Sequence, residues 1–417
     1  MANNIVVKRL IGLLLVYYVY MILVDVVIPK KSFWGMLLNI SVFAFFLYYS
    51  VINNRYALKF GYLFIYSFFV LILIILQSSD FLISIRTWIL MTCGMAALPI
   101  GYEFFVEKTA KEMYWKYCVI TFVLFLANAI IANVFHLGGG YSKHNETYYE
   151  TGNLFAAALY TNVYIFTIMP LFIKDGYNVK KYHVFLCMIC LVLTIVNMKR
   201  TPIACLIVSS IILLVGNFKF RIGMSQNNYL GRNNLHKYLF LSVFVFSVGL
   251  FMFSDLISKQ IEIRNSRFES GSLQKEGRYR EVMVVYDETV KSDDLLTFLF
   301  GKETFNTVGN YGGGSFKKRG IHEDFALVLH GTGVVGCIFL YSIQLSLFIV
   351  VLIRIKRLKM SRDNTKRLTF VTLFAILSVH YIAMLSGELW ALYSSIIFYL
   401  NYGMLLRRID FWVENNG

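Results

Sequence analysis

Long apolar segments, separated by short polar turns, make up most of the chain. A helix that crosses the hydrocarbon core of a bilayer needs about 20 mostly apolar residues. The apolar segments predict twelve such helices, at 10–28, 33–52, 60–77, 81–102, 117–135, 154–173, 182–197, 201–217, 239–257, 333–353, 369–386 and 388–406. The predicted fold class is therefore an all-α polytopic membrane protein.

The composition supports this class. Apolar residues make up 58% of the 417 residues and charged residues 15%, against roughly 45–50% and about 25% in soluble domains. The six cysteines lie in or beside the apolar segments. Cys187 and Cys190 form a C-x-x-C with no second pair and no nearby metal-ligand pattern, so we expect packed thiols and not a metal site.

The distribution of Lys and Arg predicts the orientation. Short loops on the cytoplasmic side of a membrane protein carry an excess of these residues. With the N-terminus inside, the predicted inner segments carry 23 of them and the short outer loops carry five. Both termini are then cytoplasmic. The net charge of +16 reflects topology and attraction to anionic lipid, and it does not indicate nucleic acid.

One long extracytoplasmic loop divides the chain. Residues 1–257 hold predicted helices one to nine, 258–332 form the loop, and 333–417 hold the last three helices. Within the loop, the stretch EGRYREVMVVYDETV predicts an amphipathic helix that buries one stripe on the outer mouth of the bundle. That stripe consists of Tyr279, Met283, Tyr286 and Val290. The glycine-rich segment 309–316 is typical of a mobile connection.

The segment HEDFALVLHGTGVVG, residues 322–336, raises the question of function. Its glycines fit the G-x-G-x-x-G pattern of a dinucleotide-binding turn, but that motif needs a preceding strand and a βαβ unit. Here the glycines follow a charged loop and open a predicted span. Such glycines more often allow close approach between helices.

A metal site is the second interpretation of this segment. Its candidate ligands are His322, Glu323, Asp324 and His330. Adjacent helical residues point to different faces, and the spacing matches no ligand pattern, so we predict no metal. The third interpretation, which we favour, leaves His322 at the outer membrane surface.

Five ionisable residues fall in or beside the outer half of predicted spans. Charges within spans are costly and usually functional. The residues are Asp25, Arg86, Arg200, His380 and Glu388. Their shared leaflet predicts a polar cavity that opens outward.

The sequence contains three blocks, NMKRTPIACLIV, EGRYREVMVVYDETVKSDDLLTFLFGKETF and HEDFALVLHGTGVVGCIFLY, that together resemble the O-antigen polymerase and O-antigen ligase superfamily of bacterial polysaccharide assembly. NMKRTPIACLIV resembles the family's Ser-Arg-x-x-x-Leu turn, with Lys199 in place of Ser. EGRYREVMVVYDETVKSDDLLTFLFGKETF is similar to its Gly-Arg, amphipathic helix and Phe-Gly-x-Gly run, with Lys302 and Glu303 replacing the end of that run. HEDFALVLHGTGVVGCIFLY is similar to His-Asn-x-x-Leu followed by Gly-x-x-Gly, with Glu323 where Asn is common. ETGNLFAAALY more weakly resembles the family's Gly-Asn-x-x-Ala helix start.

The resemblance implies an inverting glycosyltransferase that uses undecaprenyl-diphosphate-linked sugars without a metal or cofactor. A lipid diphosphate leaving group needs fixed cations, and the candidates are Arg200 and Arg278, because guanidinium binds phosphate with paired donors. A neutral imidazole at His322 could accept the proton of the acceptor hydroxyl. We expect four further substrate-binding residues: Arg86, Arg280, Glu323 and Lys199.

The resemblance leaves the acceptor open. A polymerase joins the chain to another lipid-linked repeat unit, whereas a ligase joins it to lipid A core, and we favour the polymerase. Either would act at the outer face of the bacterial inner membrane, with a chain-length regulator and a flippase as candidate partners. A transporter is a third candidate, but transporters favour inverted repeats and interrupted helices, and the four prolines here lie near predicted span ends.

Overall fold

A computed structural model describes residues 2–23, 33–135, 156–196, 200–219, 258, 277–314, 320–357, 364–385, 387 and 392–416. Within these ranges the regular structure is entirely helical. The described residues before the predicted outer loop form eight α-helices: α1 Ala2–Leu23, α2 Phe33–Leu47, α3 Gly61–Gln77, α4 Phe81–Phe104, α5 Lys108–Val134, α6 Ala156–Lys174, α7 Lys181–Val196 and α8 Arg200–Lys219. Two described α-helices lie within that loop, α9 Gly277–Thr289 and α10 Leu295–Phe300, and three begin at its end or after it: α11 Asp324–Arg357, α12 Asn364–Met384 and α13 Leu392–Asn416.

Seven helical segments of the described residues are long and apolar enough to cross a membrane. They are Asn4–Leu23, Phe33–Ile52, Leu58–Gln77, Phe81–Phe104, Lys108–Ala132, Asp324–Lys356 and Thr365–Met384. Shorter apolar helices occupy Ala158–Lys174, Lys181–Ile195 and Thr201–Gly216, where three further spans are predicted. The protein is therefore an all-helical membrane protein. The total of twelve spans stays a prediction, and the predicted span 239–257 lies outside the described residues.

Four predicted boundaries lie eight or more residues inside the helices. The first predicted span begins at residue 10, whereas α1 begins at Ala2. The tenth predicted span begins at residue 333, whereas α11 begins at Asp324 and has a break inside it at Gly333. The fifth predicted span begins at residue 117, whereas α5 begins at Lys108, and the last ends at residue 406, whereas α13 ends at Asn416. In all four cases the helix extends beyond its apolar part, because hydropathy locates the hydrocarbon-length segment and not the ends of the hydrogen-bonded helix.

The closest helix pair in the bundle is α4 with α13. Three glycines on these helices face the partner backbone or a small side chain. A Cβ atom at Gly101 would overlap the Leu400 carbonyl, and one at Gly403 would overlap the Leu98 carbonyl. At Gly94 it would lie 2.9 Å from the Ser395 Cβ. Small residues allow this approach, which gives extensive van der Waals contact where lipid offers no hydrophobic driving force between helices.

One end of α4 carries a network of ion pairs. The Asp410 carboxylate on α13 lies 2.5 Å from Lys59 Nζ and 2.7 Å from Arg354 Nε. It also accepts a hydrogen bond from the Tyr102 hydroxyl at 2.8 Å. Because this buried carboxylate faces two cations and a hydroxyl, its charge is compensated. The network links α13 to α4, to α11 and to the turn before α3.

The two ends of α4 therefore differ in chemistry. At one end the contacts are ionic. There Glu103 accepts hydrogen bonds from the Arg55 backbone N–H at 2.8 Å and from the Arg55 Nε at 2.9 Å. Near Ser84, at the other end, the contacts are hydrogen bonds to the long loop. The ionic end is the predicted cytoplasmic end, and the loop-bearing end is the predicted outer end.

We expect Gly101→Ala to destabilise the α4–α13 pair by about 1–3 kcal/mol, because the added methyl group has no space. The measurement is the thermal unfolding midpoint of detergent-purified protein. Gly12→Ala is the matched control, since no atom lies within 4 Å of a Cβ built at Gly12. Equal midpoints for the two variants would contradict the close packing of these helices.

The orientation can be tested with single introduced cysteines, because all six native cysteines are buried. We expect Val308→Cys, in the long loop, to react with a membrane-impermeant thiol reagent in intact cells. Leu58→Cys, at the ionic end, should react only after the membrane is permeabilised. Both positions are exposed, at 57% and 98%, so accessibility within the fold does not limit either reaction. The reverse labelling pattern would invert the topology.

Candidate functional site

The candidate site is built around a break in α11. Gly333 has φ +63° and ψ −164°, a backbone conformation that residues with side chains rarely adopt. A Cβ there would lie 2.5 Å from the Gly301 nitrogen and from the Leu299 carbonyl. Gly301, which follows α10, also has a positive φ of 73°. Two left-handed glycines thus allow the end of α10 to contact the backbone of α11 directly.

Breaking a helix frees backbone carbonyls, and here loop residues bind them. The His330 carbonyl accepts a hydrogen bond from the Lys302 N–H at 2.7 Å. The Gly331 carbonyl accepts from the Thr304 hydroxyl at 2.7 Å and from Gln77 Nε2 at 3.0 Å. Gln77 is the last residue of α3. The hydrogen bonds lost by α11 are therefore replaced by bonds that hold the loop on the bundle.

The turn after α10 rests on the connection between α3 and α4. The Ser84 hydroxyl donates to the Thr304 carbonyl at 2.5 Å. The Glu303 carboxylate accepts from the Ser79 N–H at 3.1 Å, from its hydroxyl at 2.9 Å and from Asn306 Nδ2 at 3.2 Å. Glu303 has φ +48°, at one of the positions where the family resemblance would place the end of a Gly-x-Gly run. A positive φ is unfavourable for a residue with a side chain, and the hydrogen bonds of the Glu303 carboxylate offset this conformational cost.

Helix α9 faces the other way from the prediction. Three members of the expected buried stripe are exposed, with 46% for Tyr279, 37% for Met283 and 39% for Tyr286. The fully buried side chains are Glu281, Val285 and Thr289. The prediction of a buried aromatic stripe is therefore wrong. Packing of α9 against α11 and a carboxylate contact determine the orientation, and apolar periodicity alone does not.

That carboxylate contact defines the site. Glu281 Oε1 accepts a hydrogen bond from the backbone N–H of His322. Glu281 Oε2 lies 3.6 Å from His322 Nδ1, an ion-pair distance longer than a hydrogen bond. The His322 side chain is 40% exposed and the Glu281 side chain is fully buried. An exposed imidazole is thus held against a buried acid, with Nε2 on the ring edge away from Nδ1.

Sequence reasoning missed Glu281. Its position beside Arg280 in a charged stretch is typical of a solvated helix face, and the aromatic stripe assigned it to the exposed side. The available signal was its two-turn spacing from Glu288, which places both carboxylates on one helix face.

The neighbours of His322 have structural contacts. The Glu323 carboxylate accepts a hydrogen bond from the Ala326 N–H at 2.7 Å, and so caps the N-terminus of α11. Asp324 is fully buried. Gly387, after α12, has φ +85° and lies against the His322 carbonyl, where a Cβ would overlap. The segment after α12 therefore reaches the site, although Glu388 lies outside the described residues.

The cationic candidates are placed only in part. Arg200 begins α8 and Arg278 is the second residue of α9. The side chains of both arginines, and the whole of Lys199, lie outside the described part of the structure. Arg280 is exposed on α9, next in sequence to Glu281. Arg86 is exposed on α4, two residues after Ser84. The structure thus places Arg280 on α9, whose Glu281 contacts His322, and Arg86 on α4, whose Ser84 supports the turn after α10.

A second polar cluster lies two turns further along α9, around Glu288. Glu288 Oε1 accepts hydrogen bonds from the N–H groups of Gly312 at 2.9 Å and Gly313 at 3.2 Å. Its other oxygen lies 3.7 Å from Lys302 Nζ. The glycine-rich segment, expected to be mobile, is held by this carboxylate as far as Gly314, and 315–319 lie outside the described residues.

His380 does not line an outward cavity. Its ring is buried and stacks on Phe398 with centroids 3.6 Å apart. Its Nε2 lies 3.2 Å from the Gln344 side-chain oxygen, and Gln344 Nε2 donates to the Tyr399 hydroxyl at 2.9 Å. For this residue the prediction is wrong, because the imidazole finds its partners among α11, α12 and α13 inside the bundle.

Two other interpretations of 322–336 can be compared with the structure. Gly331 and Gly336 lie within α11 and no strand precedes them in the described range 320–357, so the dinucleotide-binding turn is excluded. In the part of the chain that the structure describes, no group of three or more His, Cys, Asp or Glu side chains could hold a metal ion. Gly331 and Gly333 approach the end of α10 and the turn after it, whereas Gly336 lies against Thr332 of its own helix. This differs from the contact between membrane helices that the sequence predicted.

Comparison with known proteins adds no assignment. The chain matches no protein-family model, and no curated protein is significantly similar to it in sequence. The functional argument therefore depends on the residues of the site.

We expect Gln77→Leu to weaken the loop. The two N–H donors of Nε2 serve three nearby acceptors, the Gly331 carbonyl and also the Phe300 carbonyl at 3.0 Å and the Thr304 hydroxyl at 2.6 Å, so the substitution removes at most two hydrogen bonds. Leaving such buried acceptors without a donor costs about 1–3 kcal/mol each. The measurement is the rate of limited proteolysis within 301–314. Thr87→Val, on the membrane part of α4, is the control. Wild-type proteolysis of Gln77→Leu would show that the loop is held by other contacts.

Proposed function

We propose that this protein is a glycosyltransferase that polymerises lipid-linked oligosaccharide repeat units at the outer face of the bacterial inner membrane. The substrate would be an undecaprenyl-diphosphate-linked oligosaccharide, both as donor and as acceptor. The observation that carries the proposal is the contact between the exposed His322 imidazole and the buried Glu281 carboxylate. Both residues lie in blocks that resemble the polymerase and ligase superfamily.

The pair suits general-base chemistry. A carboxylate beside one imidazole nitrogen orients the ring and stabilises the imidazolium that forms when the other nitrogen accepts a proton. In the proposed reaction, the acceptor hydroxyl oxygen attacks the anomeric carbon of the donor and its proton passes to His322 Nε2. The bond from that carbon to the diphosphate oxygen breaks, and the diphosphate leaves with the electron pair. Attack opposite the leaving group inverts the anomeric centre.

The leaving group carries the negative charge that develops in this step. We propose that Arg200 and Arg278 bind the diphosphate, with Arg86, Arg280 and Lys199 as further contacts, because guanidinium groups match phosphate oxygens with paired donors. Helix α9 supports this arrangement, since Arg278 and Glu281 are three residues apart and neighbours on a helix surface. One helix would thus contribute both the acid that supports the base and a cation for the leaving group.

We expect His322→Ala to lower the rate of polymerisation by about 10²–10⁴-fold, the usual contribution of a positioned general base. Glu281→Gln should lower kcat with little change in KM. The amide can still accept the His322 N–H, but it no longer places a negative charge beside the ring. The measurement is chain extension from lipid-linked repeat units by the purified protein.

Glu288→Gln is the matched control for this experiment. It removes a carboxylate from the same face of α9, two turns away, where it contacts glycine N–H groups and not His322. We expect this variant to retain most of the activity. Full activity in His322→Ala, or equal losses in Glu281→Gln and Glu288→Gln, would contradict the proposed roles.

A further inference from the structure

A pocket opens at the ionic end of the bundle, remote from His322. It is a small open cleft, with about 10 Å³ of enclosed space, and lies between the first turn of α5, the end of α6 and the middle of α13. Its polar lining is Lys111, Asp175, Tyr177 and Arg408, and its apolar lining is Leu171, Phe172, Met404 and Leu405. A pocket with polar and apolar sides at the ends of membrane helices lies where lipid headgroups and acyl chains meet.

The charges in this pocket do not balance. Arg408 donates to both oxygens of Asp175, one of them at 2.8 Å, and so uses the only carboxylate of the lining. Lys111 is half-buried. Among the described residues, no side chain forms an ion pair or accepts a hydrogen bond from its ammonium group. Two cations against one carboxylate leave one positive charge, and a partly buried cation favours an anionic partner.

Further donors remain for such a partner. A guanidinium has five N–H donors, and the two bonds to Asp175 leave three. Tyr177, in the turn after α6, is kept protonated because burial and the nearby Asp175 raise its pKa to about 12. The indole ring of Trp412 covers the Arg408 guanidinium, with its centroid 5.1 Å from Cζ. The arrangement presents an ammonium, a guanidinium edge and a hydroxyl around one opening.

We propose that this pocket binds a phosphate group, supplied by an anionic phospholipid of the surrounding leaflet. A phosphodiester carries one negative charge, which matches the uncompensated Lys111. The apolar lining would contact the beginning of an acyl chain. The excess of Lys and Arg at this end predicts the cytoplasmic leaflet, whose anionic lipids attract basic residues. This site is independent of the proposed glycosyltransferase activity.

The test measures lipid binding to the detergent-purified full chain by native mass spectrometry. The probes are phosphatidylglycerol and phosphatidylcholine, with inorganic phosphate as a competitor. We expect phosphatidylglycerol to bind more tightly than phosphatidylcholine, and Lys111→Met to weaken phosphatidylglycerol binding about tenfold or more, since a hydrogen bond to a charged group contributes at least that factor. Lys111→Arg should retain most of the affinity.

Lys108→Met is the matched control. Lys108 is three residues earlier on α5, is exposed and forms a surface ion pair with Glu112 at 3.9 Å. We expect the Lys108→Met protein to bind phosphatidylglycerol as the wild type does. The thermal unfolding midpoint of each variant, measured without lipid, shows whether the variant is folded. Equal binding of both lipids, or equal losses in Lys108→Met and Lys111→Met, would overturn the proposal. Lys111-dependent displacement of the lipid by millimolar inorganic phosphate would support the anion site and assign it to soluble phosphate.

Discussion

The break in α11 at Gly333 is the constraint on which the loop-bearing end of the bundle depends. In an apolar medium every backbone carbonyl needs a donor, and a broken helix loses donors for several carbonyls at once. The His330 and Gly331 carbonyls regain theirs from Lys302, Thr304 and Gln77. The same few bonds thus complete the membrane helix and attach the loop that carries Glu281. Without the loop, these α11 carbonyls would lack donors, and without the break in α11, the loop would lack these acceptors.

The sequence predicted the features that depend on local composition. Apolar length located helices such as α4 and α6, and the change from a charged loop to an apolar segment placed His322 outside the predicted span. Residues 277–289 were also predicted as a helix. These predictions succeed because the length of an apolar run and helical periodicity are properties of a short segment, and they need no knowledge of what packs against it.

The orientation of α9 depends on a distant contact, and there the sequence was misleading. Tyr279 and Tyr286 form the more obvious apolar stripe, yet the buried face carries Glu281. A buried carboxylate is unfavourable by itself and becomes favourable only with donors from elsewhere, here the His322 N–H forty-one residues away. The role of His380 was misjudged for the same reason, because its stacking on Phe398 and its contact with Gln344 join three helices.

The contacts between α9 and the first part of α11 determine where the candidate catalytic pair, Glu281 and His322, lies along these helices. Glu281 lies beside His322, and Glu288, two turns further along α9, lies beside Lys302, which is bonded to the His330 carbonyl. Helix α9 and the first part of α11 therefore run in the same direction, with polar contacts about 10 Å apart along their length. The hydrogen bond from the His322 N–H to Glu281, together with the packing of α9 on α11, sets the position of Glu281 along this axis. Since a displacement of about 1 Å can cost a hundredfold in rate, these contacts govern the chemistry proposed for His322 without touching the substrate.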